Sequence, residues 1–181
     1  MIYLLEETEG FSQKNLARML LQYGLYHEYQ ISGEIKIAYA EHGKPYLAEH
    51  PEIHFNYSHC RQGILCGLDS HEIGVDIEHR IPYQQNLAKR IFHPNEWERS
   101  LKIAEKSTFL TRIWTLKESY LKYLGTGIRS DLRALDFSDN TENVFQKEDC
   151  HFQVIQTSHY GIAICGETME YQFCKLEVQD L

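Results

Sequence analysis

Gly74-Val75-Asp76-Ile77-Glu78, with Trp114-Thr115-Leu116-Lys117-Glu118-Ser119-Tyr120-Leu121-Lys122 further along, decides how this chain reads. Side chains alternate along a strand, so Asp76 and Glu78 share one face while the β-branched Val75 and Ile77 share the other. The second stretch has helical spacing. Trp114, Glu118 and Lys122 recur every four residues and lie along one side of a helix. Strand packed on helix brings three carboxylates and an ammonium together. Ionised carboxylates in that number repel one another unless a cation lies among them, and oxygen ligands suit Mg²⁺. The pattern suits a site that handles a diphosphate. Taken alone, each piece has a plainer reading: a solvated strand face, and an exposed helix with an i,i+4 ion pair.

The rest of the chain sets bounds. Its 181 residues suffice for one good core or for two small halves that share one. Apolar residues make up 43% of it, a globular composition, and no apolar run approaches a membrane span. Met1-Ile2-Tyr3-Leu4-Leu5-Glu6-Glu7 turns acidic at once and lacks the basic start of a signal peptide. Five cysteines without a CxxC pair fit reduced thiols, so the chain reads as cytoplasmic. The ten histidines show no paired ligand spacing, which argues against a zinc site. A formal charge of −8 argues against nucleic-acid binding, so any contact with an acidic ligand must be local. Lys44, Lys117 and Lys122 are candidates near a diphosphate, and Lys89, Arg90, Arg99 and Lys102 near a docking partner.

Periodicity predicts a helix over 12–29 with Ser12 as N-cap, and a strand over 34–39. Three further strands are expected at 54–59, 63–68 and 73–78, as a meander whose last strand carries the acid pair. Helices are expected over 83–92, from Pro94 to about 104, and from a Ser107 cap to Gly125, which ends the last one. Residues 139–149 read as an exposed polar loop, followed by a hairpin of 152–157 with 160–165. An internal echo stands out: His54-Phe55, Ser58-His59, Gly63-Ile64 and Cys66-Gly67 return as His151-Phe152, Ser158-His159, Gly161-Ile162 and Cys165-Gly166.

The acid pair and the helix do not stand alone. Gly43-Lys44-Pro45 and Asn56-Tyr57-Ser58-His59 precede them, and Gly125-Thr126-Gly127 follows. With these five motifs in this order, from about Gly43 to Gly127, the chain resembles 4′-phosphopantetheinyl transferases of the surfactin-synthetase-activating type. The resemblance implies an α+β fold of two similar halves with pseudo-twofold symmetry and coenzyme A in the cleft between them. Here the halves would be 1–80 and 81–181. It implies Mg²⁺-dependent attack of a serine of an acyl, peptidyl or aryl carrier protein on the β-phosphorus of coenzyme A, releasing 3′,5′-ADP. The chain would be a monomer, since both walls of the cleft come from one chain.

By that resemblance Asp76, Glu78 and Glu118 hold the metal, and Glu118 is the candidate general base. Lys122 sits on the diphosphate, or else forms only a helix salt bridge with Glu118. His59 contacts a phosphate of coenzyme A with help from Ser58, and Lys44 touches the adenine or its ribose phosphate or is a solvent-exposed turn lysine. Arg112 braces the catalytic helix or pairs with a surface acid, and Trp114 packs in the core. Lys14 and Arg18 are weaker candidates, because the amino-terminal half is short for the family. Carrier docking is expected over 83–102, with Phe92 or Trp97 as an apolar anchor or else in the core. A non-catalytic member binding coenzyme A or a carrier is the rival, but such a copy is expected to lose one of the carboxylates or the lysine. A diphosphate hydrolase of the Nudix type would need an acidic helix signature that this chain lacks.

Overall fold

The computed structural model describes residues 1–8, 10–126 and 131–181; Gly127 of the last motif lies outside them. Two four-stranded sheets face each other, one with a single α-helix on its outer side and the other with three, an α+β architecture. The first sheet has the order β10-β1-β5-β4, built from β1 (Ile2–Glu6), β4 (His54–Cys60), β5 (Gly63–Asp69) and β10 (Phe173–Leu176). The second has the order β6-β9-β8-β7, built from β6 (Ile73–His79), β7 (Val144–Lys147), β8 (Cys150–Gln156) and β9 (Tyr160–Gly166). A short hairpin, β2 (Ile37–Tyr39) with β3 (Pro45–Leu47), stands apart.

Alternation explains the layers. On β1, Tyr3 and Leu5 point toward helix α1 (Gln13–Tyr29), while Ile2 and Leu4 join the core between the sheets. On β6, Ile73, Val75 and Ile77 enter that same central core, leaving Gly74, Asp76 and Glu78 on the opposite face. That face is covered by α4 (Lys106–Leu124), which carries Leu110, Ile113 and Leu116 into a third cluster shared with Phe92, Phe137 and Phe152. The glycine matters. A Cβ at Gly74 would stand 2.0 Å from the carbonyl oxygen of Ser119 and 2.3 Å from the amide nitrogen of Tyr123, so only glycine lets the helix lie this close to the strand.

The echo falls on equivalent hairpins. In each sheet a hairpin, β4-β5 or β8-β9, pairs antiparallel through its second strand with the strand that comes first along the chain in that sheet, β1 or β6. The expected meander is corrected by the same pairing. Strand β5 has β1 on one side and β4 on the other, so no edge is left for β6, which pairs with β9 instead. The polar 139–149 stretch is also corrected, because Val144–Lys147 forms edge strand β7, with Phe145 stacked on Phe152 at 5.1 Å. Ser12 precedes α1 without a side-chain cap bond, and Ser107 lies inside α4, where its hydroxyl accepts from the Tyr83 amide at 3.0 Å. Gly125 ends α4 as expected, in the left-handed conformation with φ of 68°. No helix among the described residues is long and apolar enough to cross a membrane.

Two short helices, α2 (Gln85–Ile91) and α3 (Pro94–Ser100), are tied to α4 by a closed ion pair. Lys117 and Glu96 are both fully buried and meet at 2.6 Å. The ammonium also donates to the carbonyls of Ile91 at 2.8 Å and Leu132 at 2.9 Å, so all three of its protons have acceptors. Glu96 accepts from the amides of Phe137 and His93, each at 2.8 Å. Burial pushes Glu96 up and Lys117 down, and their mutual attraction opposes both shifts. Lys117 is therefore a structural staple, a correction to its reading as a cation near a diphosphate. Glu96→Ala should destabilise the fold by about 3–5 kcal/mol in denaturant melts, because the buried ammonium loses its counter-charge. Replacing both partners with apolar residues of similar volume should recover most of that loss.

Candidate active site

Where the outer edge of β6 meets β4 and the last turns of α4, the polar groups converge. Asp76 is 5% exposed. Its Oδ1 accepts from the hydroxyl of Ser58 at 2.8 Å and from the ammonium of Lys122 at 2.7 Å. Lys122 also donates to the carbonyl of Val75 at 3.1 Å, and the Val75 amide donates to Asn56 Oδ1 at 3.0 Å. Val75, the residue before Asp76, is thus held by β4 at its amide and by α4 at its carbonyl. Alternation along β4 puts Asn56 and Ser58 on the side that meets β6.

Glu118, one helical turn before Lys122, is 6% exposed. Burial raises its pKa, and the charge of Asp76 raises it further; Lys122 pulls it down and Glu78 pushes it up. Two carboxylate oxygens, Asp76 Oδ2 and Glu118 Oε1, are buried without any hydrogen-bond partner among the described residues. Buried acceptors left unpaired are costly, and adjacent acceptor-only groups suit a hard cation. Glu78 stands on the same face of β6, but its Oε1 is taken by the ring and the amide of His79. Among the described residues no three His, Cys, Asp or Glu side chains are arranged as a metal-holding group.

A cavity of about 300 Å³ opens beside this cluster. Tyr39, Lys44 and Pro45 of the small hairpin form one wall, Asn56 and Tyr57 of β4 a second, and Glu118, Leu121, Lys122 and Gly125 a third.

Comparison with known proteins bears on what this cleft is. The family model described as the 4′-phosphopantetheinyl transferase superfamily matches residues 72–171, more than half the chain. The chain belongs to this superfamily. A 4′-phosphopantetheinyl transferase of Bacillus subtilis is 34% identical over 122 residues, covering 66% of this chain and 51% of its own. The 4′-phosphopantetheinyl transferase Sfp of Bacillus subtilis (strain 168) is 33% identical over 116 residues, 62% of this chain and 52% of its own. The transferase HetI of Nostoc sp. is 39% identical over 104 residues, 53% of this chain and 44% of its own. The likeness is to transferases of the Sfp type, and the chain spans about half the length of the relatives it matches.

Among the residues singled out from the sequence of this superfamily member, the fold brings Ser58, Asp76, Glu118 and Lys122 together. Lys44 reaches the cavity, but its ammonium is already bound by Glu72 and by the carbonyl of Tyr123 at 2.8 Å. Its carbon stem lies over Gly125. His59 is exposed on the same strand face as Tyr57 and is not part of the cavity wall. Arg112 braces α4 against the 140–143 loop through the carbonyls of Asn140 and Glu142. Trp114 packs against the α4 core. Arg18 bonds the carbonyl of Ile35 at 3.0 Å. Phe92, 2% exposed, lies in the core and offers no anchor to a partner; Trp97 is half-buried with Lys89 over its ring at 5.5 Å. The motif by itself assigns Asn56 no role, although its spacing of two from Ser58 puts both on one side of β4.

The charge of Asp76 raises Glu118, so Asp76→Asn should let the Glu118 carboxyl ionise at a lower pH than in the intact chain. Carbon-13 titration of the glutamate carboxyls reads this directly; an unmoved Glu118 would mean that the two carboxylates are not electrostatically linked.

Proposed function

We propose that this chain transfers the 4′-phosphopantetheine arm of coenzyme A to a serine hydroxyl of an apo acyl, peptidyl or aryl carrier protein, releasing 3′,5′-ADP. The observation that carries the reading is the pair of unpartnered buried oxygens on Asp76 and Glu118 beside the Lys122 ammonium, in a chain of this superfamily. A cleft with an acceptor-only side and a cationic side matches what a diphosphate with its counter-cation requires.

In this reading Asp76 and Glu118, with Glu78 as third candidate ligand, would hold Mg²⁺. When bound, the ion neutralises charge on the diphosphate oxygens. The remaining steps fall to the chain. Lys122, fixed by Asp76 and the Val75 carbonyl, presents its charge to the phosphate whose negative charge grows as the leaving group departs. The carrier serine oxygen forms the new bond to the β-phosphorus as the P–O bond to the departing nucleotide breaks. Glu118 is the candidate acceptor of the serine proton. Ser58 acts through Asp76, while Lys44 and His59 are candidate contacts along the nucleotide. The parts 1–80 and 81–181 would supply the two sides of the cleft, in a monomer working in the cytoplasm.

Mass spectrometry of several apo carriers after incubation with coenzyme A and Mg²⁺ tests the proposal. One carrier should gain a single phosphopantetheine, and no gain on any carrier at saturating coenzyme A would overturn it. Glu118→Ala should lower turnover by about a hundredfold or more, the order expected when a strong electrostatic stabiliser is lost. Lys122→Ala should lower kcat more than it raises KM.

The carrier would dock on α2 and α3, where Lys89, Arg90 and Lys102 are exposed on an otherwise acidic chain. Arg99 is partly committed, donating to the carbonyl of Ser138. Reversing the charge of Lys89 and Arg90 should raise the KM for the carrier at low salt and leave coenzyme A binding unchanged. An unaltered carrier KM would move the docking surface elsewhere.

A further inference from the structure

Asn56 is 5% exposed, and its carboxamide is fixed in orientation. The Val75 amide can only donate, so the atom it meets at 3.0 Å must be the carboxamide oxygen. The NH₂ group is thereby turned to the other side, with two N–H donors. Neither donates to any protein group among the described residues. The nitrogen is nevertheless absent from the set of fully buried, unpartnered atoms, so it keeps access to open space. Asn56, with its unpaired amide donor, thus lines the same cavity as Glu118 and Lys122, and Asp76 lies behind its wall, bonded to Lys122.

An N–H donor cannot ligate a cation. Its partner must be an acceptor, and beside the Lys122 ammonium an anionic oxygen is favoured over a neutral carbonyl. We propose that the Asn56 carboxamide is a substrate-contacting residue whose NH₂ donates to a phosphate oxygen of the coenzyme A diphosphate, while its oxygen holds β6 in place for Asp76. This rests on the coenzyme A reading above. It divides the cleft into two chemically distinct sides: Asp76 and Glu118 offer only acceptors, and Asn56 with Lys122 offers only donors. One side chain joins the tie between the sheets to recognition of the transferred group.

Two substitutions separate contact from support. Asn56→Asp keeps an acceptor for the Val75 amide and loses both donors; Asn56→Leu keeps the shape without charge and loses both functions. Calorimetric titration with coenzyme A should show affinity about tenfold or more weaker in each folded variant, the scale of a hydrogen bond to a charged group. Thermal melting should show each variant folded, with Asn56→Asp lowered by its added buried charge. In the intact protein, the Asn56 side-chain ¹⁵NH₂ resonances should move on saturation with coenzyme A. A folded Asn56→Leu that binds coenzyme A as tightly as the intact chain would show that charge alone weakened the aspartate variant, and would overturn the assignment. If the leucine variant does not fold, unmoved ¹⁵NH₂ resonances overturn it instead. An intact chain that binds no coenzyme A would overturn the function proposed above together with this role; an intact chain that binds it while the variants bind equally well overturns this role alone.

Discussion

Everything at the cleft depends on how closely α4 lies on β6, and that distance is set at Gly74. With the Ser119 carbonyl and the Tyr123 amide standing where a Cβ would be, any side chain there would push the helix away from the strand. Glu118 and Lys122 sit on the turns that flank this contact. A displacement of one or two ångströms would take Lys122 out of reach of both Asp76 and the Val75 carbonyl. The helix cannot compensate by rotating, because Leu110, Ile113 and Leu116 are packed on its other flank. Backbone proximity and side-chain packing therefore specify one position for the ammonium.

The same helix carries two lysines five positions apart with opposite uses. Lys117 spends all three protons on protein acceptors and is sealed from water, so its charge can serve only the fold. Lys122 is partly exposed and makes two bonds, one to an oxygen of Asp76 whose partner oxygen is left unpaired. Lys122 is thus held in place by the protein while part of its charge stays available to a ligand. The closed pair with Glu96 keeps α2, α3 and α4 in register, and the open cluster stands on that rigid base. Unpaired buried carboxylate oxygens are a liability for stability, and a binding site is where such a liability is retained.

Much of this was legible in the chain. Alternation in Gly74–Glu78 and the four-residue spacing of Trp114, Glu118 and Lys122 assigned the acid pair to a strand face and the third acid to a helix face, because those periods follow from backbone geometry alone. Local rules also delivered most helix boundaries and the stop at Gly125. Tertiary structure decided what local periodicity cannot encode. Strand β6 left the expected meander because both edges of β5 were already taken, one of them by the amino-terminal strand and so by a pairing remote in sequence. Lys117, identical in type and helix to Lys122, became a core residue because of which side of α4 meets α2 and α3. Lys44 lost its free charge to Glu72 and to the end of α4. The orientation of the Asn56 carboxamide rests on a single amide of another sheet, and contacts between distant segments exist only once the chain has folded.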